Sequence, residues 1–182
     1  MRIPRKNIRN FRGQPIIAYS IKTAFEAGIQ RVIVSTDDAE VAMHAQWYGA
    51  EIHRREYDDG SKGTQEVTAD VLRWLGNGSP EFACCVYATA PLMEARDLVQ
   101  GLHLLKTWER AYVYSVMAEA WSLEVRDAGQ WYWGRTQAFL SGVPLSDSFL
   151  CKIPPDRVCD INTHEDWAKA EMLYDRLRGI YA

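Results

Sequence analysis

Two stretches carry side chains that could do chemistry on a charged substrate. In the first, Arg2, Arg5, Lys6, Arg9 and Arg12 fall close together, with Asn7 and Asn10 between them. A cluster of this kind either stays solvated or neutralises a polyphosphate. The second is Ala88-Thr89-Ala90-Pro91, which follows the apolar run 82–87. That run is rich in small and β-branched residues and lacks the alternation of a half-wet strand, so it reads as a central strand covered on both faces. In open α/β sheets, ligands sit beyond the carboxyl ends of such strands. The turn at 88–92 is therefore one wall of a site or an ordinary loop. Other chemical candidates are weaker. His44, His53, His103 and His164 have no metal-ligand spacing, and Asp37 and Asp38 stand where a helix needs its cap. Cys84 and Cys85 point to opposite faces of a strand, so a mutual disulfide is not expected.

The elements that would position these groups alternate. Pro15 opens a helix that ends at Gly28, and 31–36 is a strand. A helix then runs from Asp37 and Asp38 to Gly49, with a short edge strand at 50–52. Helices are expected over 64–75 and 94–106, and strands over 111–117, 130–133 and 157–161. One or two helical turns are expected at 135–140. Thr163 and Asp166 form a capping box for the last helix, in which Trp167, Ala170, Tyr174, Leu177 and Tyr181 make the buried stripe. Such alternation predicts an α/β domain over 1–182, with a mostly parallel sheet and helices on both faces.

Composition excludes several function classes. The net charge of −3 provides no basic face for nucleic acid, and no apolar run is long enough to span a bilayer. The N-terminus has basic residues but no apolar h-region, so no signal peptide is expected. Four cysteines without CxxC spacing point to reduced thiols and a cytoplasmic setting. Seven tryptophans and nine tyrosines are many for 182 residues, enough for large core residues, an interface or stacking walls.

Several motifs, in order, resemble one family. Ile3-Pro4-Arg5-Lys6-Asn7, Gly13-Gln14-Pro15-Ile16-Ile17-Ala18-Tyr19-Ser20-Ile21 and Val34-Ser35-Thr36-Asp37-Asp38 are similar to the cytidylyltransferases that activate nine-carbon acidic sugars. Tyr87-Ala88-Thr89-Ala90-Pro91, Asp127-Ala128-Gly129-Gln130-Trp131-Tyr132-Trp133-Gly134 and the segment from Asp160 to Trp167 look closest to the pseudaminic acid branch. The resemblance implies a Rossmann-like fold of the nucleotide-diphospho-sugar transferase type. It also implies transfer of CMP from CTP to a pseudaminic or sialic acid, with loss of pyrophosphate. Such transfer uses cationic groups and Mg²⁺ around the phosphates. By the same resemblance Lys6 reaches phosphate, Asn7 fixes the nucleotide, Arg5 is a further phosphate candidate, and Thr89 and Ala90 lie where nucleotide and sugar meet. Asp127 and Gln130 fall in the segment facing the sugar. Asp160 and Asn162 occupy the family's Asp-x-Asp metal position; in an extended strand both would face the same way and reach one ion, the amide being the poorer ligand.

The chain departs from that family pattern in two places. Relatives carry an apolar strand and a basic Gly-rich loop before the Arg-Ile-Pro-Arg-Lys-Asn segment, and here Met1 falls at the end of that loop. The expected consequence is a smaller sheet in which the strand of Val32 and Val34 pairs directly with 83–87. Phosphate donors lost with such a loop are worth roughly 3–4 kcal/mol each in comparable electrostatic sites. Relatives also carry a longer insertion between Val116 and Asp127 that completes a neighbour's sugar site, so a homodimer would be weakened, and Trp121, Trp131 and Trp133 are either a surface or repacked core. Two readings follow: a minimal working cytidylyltransferase using Mg²⁺, or an inactive homologue that keeps a nucleotide or partner site. A glycosyltransferase would want Asp-x-Asp after the central strand, and 87–91 has none.

Overall fold

The computed structural model describes residues 3–56, 61–118 and 125–180. A tight hairpin of β1 (Asn10–Phe11) and β2 (Gln14–Pro15) turns through Arg12 and Gly13, both at positive φ. Asn10 Oδ1 accepts the Gly13 N–H at 3.0 Å and closes the turn. Helix α1 (Ile16–Glu26) follows and buries Ile16, Ile17, Ile21 and Ala24. Then come β3 (Ile33–Thr36), α2 (Ala39–Trp47), β4 (Glu51–Arg54) and α3 (Thr64–Leu75). Asp38 caps α2 by accepting the N–H groups of Glu40 and Val41. The second half holds β5 (Phe82–Val86), α4 (Ala95–Thr107), β6 (Tyr112–Ala118), β7 (Val125–Arg135), α5 (Thr136–Leu140), β8 (Ser148–Ile153) and α6 (His164–Leu177).

These strands form two separate sheets and the small hairpin. β3 and β4 pair in parallel, and β5-β7-β6-β8 make a four-stranded sheet. The α/β architecture stands as expected, but the larger sheet is mixed rather than mostly parallel. β7 runs antiparallel to both β5 and β6, and only β6 and β8 are parallel. The expected pairing of β3 with β5 does not form. The two strands stand apart across an open cleft of about 1240 Å³, lined by residues of both.

Core packing accounts for Trp131, Trp133 and Trp167, whereas Trp47, Trp74 and Trp108 are exposed. Trp131 and Trp133 are fully buried between β7 and α4, so they are core and not surface. Trp121 lies outside the described residues. Close approach of α4 to β7 depends on Gly101: a Cβ there would meet the Trp131 ring at 2.5 Å and Trp133 at 2.8 Å. Both rings are held inside the core, so Gly101→Ala should destabilise the fold by about 1–3 kcal/mol through overpacking. Alanine's better helix propensity returns at most about 1 kcal/mol of this. The urea midpoint of the variant against the parent measures the difference.

The segment 157–161 is not a ladder strand. Pro155–Arg157 makes a single 3-10 turn, Val158 is extended, and no strand pairs with it. The last strand is β8, whose polar Ser148 and Lys152 obscure its apolar face.

Candidate active site

The basic N-terminal segment is anchored by its apolar residues. Ile3 and Phe11 are buried in one cluster with Ile16, Tyr19, Ile161 and Trp167. Phe11 packs edge-on against Tyr19, Trp167 and Tyr174, and Arg12 pairs with the buried Asp175. Burial raises the Tyr19 hydroxyl to about 12, and it donates to the Phe11 carbonyl at 2.7 Å. Between these anchors Arg5 takes a left-handed conformation, φ 51°, and Lys6–Ile8 make one 3-10 turn. That turn carries the Lys6 ammonium to the Ile161 carbonyl, 2.5 Å away and 155 residues along the chain. Lys6 is thereby set beside the segment of Asp160 and Asn162.

Arg5, Lys6 and Asn7 all line the cleft at the carboxyl end of β3. The Arg5 guanidinium is engaged by Asp38 at 3.1 Å and by Glu40 at 2.7 Å. The N–H groups of Val41 and Glu40, and then Arg5, hold the Asp38 carboxyl below the usual carboxylate range. Asn7 is exposed at the same mouth.

Across the cleft, the Ser20 hydroxyl donates to the Tyr87 carbonyl at 2.8 Å and ties α1 to the end of β5. Thr89 lines the cleft. Ala90 is buried in the core, and its carbonyl accepts the Met93 N–H at 3.2 Å. Only the backbone of Ala90 can therefore address a ligand.

A second group forms where β7 begins. Asp127 accepts the Gly129 N–H at 2.7 Å, and Gly129, at φ 61°, lies against Asp160: a Cβ at 129 would stand 3.8 Å from it. Burial and then Asp127 and Asp160 push the Tyr87 hydroxyl up; burial and Asp127 do the same to Tyr114. Two carboxylates thus act on Tyr87. Gln130 lies beneath them at 3% exposure; its Nε2 donates to the Arg157 carbonyl at 2.5 Å, and its Oε1 has no partner among the described residues. Arg157 is itself buried. Its guanidinium binds Asp97 at 2.5 and 3.1 Å and Glu94 at 3.1 Å. The Asp97–Arg157 pair therefore fixes the segment that leads to Asp160.

Asp160 and Asn162 are exposed and adjacent, although no ladder strand aligns them. The Asn162 amide donates to Asp160 Oδ2 at 2.7 Å. Among the described residues no group of three or more His, Cys, Asp or Glu is placed to hold a metal ion. Mg²⁺ nevertheless binds commonly through one or two carboxylates together with substrate phosphates. Asp160 fits that lesser requirement: the Asn162 amide engages Oδ2, while Oδ1 lies on the Gly129 side.

Lys6, Asp127, Asp160 and Asn162 thus converge at the carboxyl ends of the strands. Arg5, Asn7 and Thr89 rim the adjoining cleft, while Gln130 and the Ala90 methyl are buried. Residues 1–125 match the family model described as cytidylyltransferase. The chain belongs to the cytidylyltransferase family. The pseudaminic acid cytidylyltransferase of Campylobacter jejuni subsp. jejuni serotype O:23/36 (strain 81-176) is 31% identical to it over 212 residues, covering 95% of this chain and 90% of the relative. N-acylneuraminate cytidylyltransferase B of Danio rerio is 25% identical over 202 residues, covering 93% of this chain and 47% of that protein. Among solved structures, a CMP:2-keto-3-deoxy-manno-octonic acid synthetase complexed with CTP superposes with a TM-score of 0.79 at 14% identity, covering 97% of this chain and 94% of the other. That likeness concerns the fold. In this cytidylyltransferase, sequence reasoning missed Tyr87, Tyr114 and the Asp97–Arg157 pair. Arg157 carried no signal because a lone arginine before an apolar residue looks solvated. Tyr87 was within reach, as the last residue of the central apolar run. No helix among the described residues is long and apolar enough to cross a membrane.

Proposed function

We propose that this cytidylyltransferase transfers CMP from CTP to a nine-carbon acidic sugar of the pseudaminic or sialic type. The sugar's anomeric oxygen bonds to the α-phosphorus, the bond to the β-phosphate oxygen breaks, and pyrophosphate leaves. One observation supports this reading above the others: Lys6 stands on the Ile161 carbonyl, beside Asp160, in a chain whose relatives of similar length are pseudaminic acid cytidylyltransferases. Mg²⁺, held by Asp160 and the nucleotide phosphates, would supply charge stabilisation for the departing pyrophosphate. Lys6 neutralises phosphate, with Arg5 released from Asp38 and Glu40 as a second cation. Asn7, Thr89 and the Ala90 backbone hold the nucleotide. Asp127 orients sugar hydroxyls; Gln130, expected to face the sugar, is buried and instead ties β7 to the Arg157 carbonyl beneath the site.

Calorimetry with CTP, with and without Mg²⁺ and with GTP as the specificity control, tests the nucleotide site without any choice of sugar. CTP should bind with a dissociation constant of about 1–100 µM, better with Mg²⁺. Lys6→Ala should weaken it roughly tenfold, the loss of one charge-assisted phosphate contact. Pyrophosphate release with pseudaminic and N-acetylneuraminic acids then identifies the acceptor. Absence of CTP binding at millimolar nucleotide would sink the proposal.

A further inference from the structure

Strand β7 leaves its ladder with β6 at the site. Tyr112, Val113 and Tyr114 of β6 stand opposite Gly134, Trp133 and Tyr132, a register that would next set Ser115 opposite Trp131 and Val116 opposite Gln130. Instead Val116 stands opposite Asp127. The stretch of β7 from Ala128 to Trp131 therefore faces the single residue Ser115, and the extra length bulges out of the sheet. A side chain closes the break. The Ser115 hydroxyl, fully buried, donates to the Trp131 carbonyl at 2.6 Å and accepts the Trp131 N–H at 3.1 Å. One hydroxyl thus satisfies both main-chain groups that the interrupted ladder would leave unpaired away from water.

The bulge is tied on its other sides as well. Gln130 accepts the Tyr87 N–H at 2.8 Å, which keeps this part of β7 on β5. The Gln130 side chain donates to the Arg157 carbonyl at 2.5 Å, in the segment that leads to Asp160. Asp127, at the foot of the bulge, accepts the Gly129 N–H at 2.7 Å. Gly129, at φ 61°, rests on Asp160: a Cβ there would stand 3.9 Å from Oδ1. Direct contacts and chain bonds therefore run from Ser115 through Trp131, Gln130 and Gly129 to Asp160. The bond from Asn162 to Asp160 spans only two residues and does not fix the carboxylate relative to the sheet. The bulge does.

We infer that Ser115 is a positioning residue for the transfer reaction: by pinning the β7 bulge it holds Asp127 and Gly129 against Asp160 and so sets where that carboxylate meets Mg²⁺. The inference rests on the proposed CMP transfer, in which Asp160 is the metal ligand. Ser115 is buried and touches no substrate; it acts through the bulge. Without its hydroxyl, the Trp131 N–H and carbonyl gain by moving toward the regular register, which draws Gly129 away from Asp160. A displacement of about 1 Å at a reacting centre is enough to cost about a hundredfold in rate. The loss should be selective. Lys6, Asn7 and Thr89 lie on other elements, so the grip on the nucleotide survives while the grip on the metal weakens.

The test compares Ser115→Ala and Gly129→Ala with the parent in the full chain. Gly129→Ala removes no buried group; it asks an alanine to hold φ 61°, and the turn shifts instead. In both variants the Mg²⁺ half-saturation for pyrophosphate release should rise about tenfold, with CTP binding in the absence of Mg²⁺ unchanged. Leu105→Ala is the control for lost stability alone: it opens a cavity in the buried face of α4, away from the bulge, and should lower the urea midpoint but leave the Mg²⁺ half-saturation as it was. In ¹⁵N–¹H spectra without metal or nucleotide, the Gly129 and Asp160 amides should move in Ser115→Ala and stay in Leu105→Ala. Three results would each overturn the inference: parental Mg²⁺ dependence in Ser115→Ala, an equal rise in Leu105→Ala, or unmoved Gly129 and Asp160 amides in Ser115→Ala. A parent that transfers no CMP removes the proposed reaction instead, and the two amides then decide whether Ser115 positions Asp160.

Discussion

Asp160→Ala is expected to lower the rate of CMP transfer about 10²–10³-fold, the usual effect of removing one preorganised electrostatic group from a phosphoryl site. The carboxylate is exposed, stands beside Lys6 and Gly129, and has one oxygen bound to the Asn162 amide. No second carboxylate in 160–162 can substitute for it. Asn162→Asp is the complementary experiment. It converts a hydrogen-bond donor into a second hard anionic ligand and should lower the Mg²⁺ half-saturation about tenfold. Titrating Mg²⁺ against the initial rate of pyrophosphate release in both variants separates ligation from folding, because thermal stability should change little at two exposed positions. An Asp160→Ala enzyme with unchanged rate and unchanged Mg²⁺ dependence would remove this residue from the metal site.

The second large effect is on stability. Asp97 and Arg157 form a buried ion pair, with side-chain exposures of 4% and 8%, and Glu94 is the only other carboxylate recorded on that guanidinium among the described residues. Removing one member of such a pair strands the other charge away from water, and Asp97→Ala should cost about 3–5 kcal/mol. Replacing both, as Asp97→Leu with Arg157→Met, should recover most of that loss, because well-packed apolar substitutes for a buried pair are often neutral. Urea unfolding of the two single variants and the double variant closes the cycle. Additive losses in the double variant would show that the pair is not coupled. Since Gln130 binds the Arg157 carbonyl, the single variants should also loosen the segment that carries Asp160.

Much of the layout was legible because local rules governed it. Helix α3 has the bounds that Thr64 and Leu75 suggested, and Asp38 and Thr163 cap the helices they precede. Each of these depends on neighbours a few residues away. Strand direction does not. An unbroken apolar run such as 82–86 has the same appearance beside a parallel or an antiparallel neighbour, so the central place of β7 and its reversed sense were invisible. The edge strand β8 was missed because Ser148 and Lys152 interrupt its pattern, whereas 157–161 has strand-like composition but no partner to pair with. In the site, Lys6 and Asp160 emerged from a resemblance, and it is the fold that brings them together from opposite ends of the chain. The tyrosines around Asp127 could not be grouped from sequence, since Tyr87, Tyr114 and Asp127 lie on three different strands or strand ends.

The break between the two sheets has a consequence for cooperativity. No ladder joins β3 to β5, so the unit made of β3, α2 and β4 is held to the rest by side-chain contacts alone: the side of α1, the Arg5 ion pairs to Asp38 and Glu40, and His53 on Trp74. Such a unit can open while the four-stranded sheet stays intact, as a separate foldon. Native-state exchange should place the ladder amides of Val34 and His53 at a lower opening free energy than those of Val113 and Tyr132 in the larger sheet.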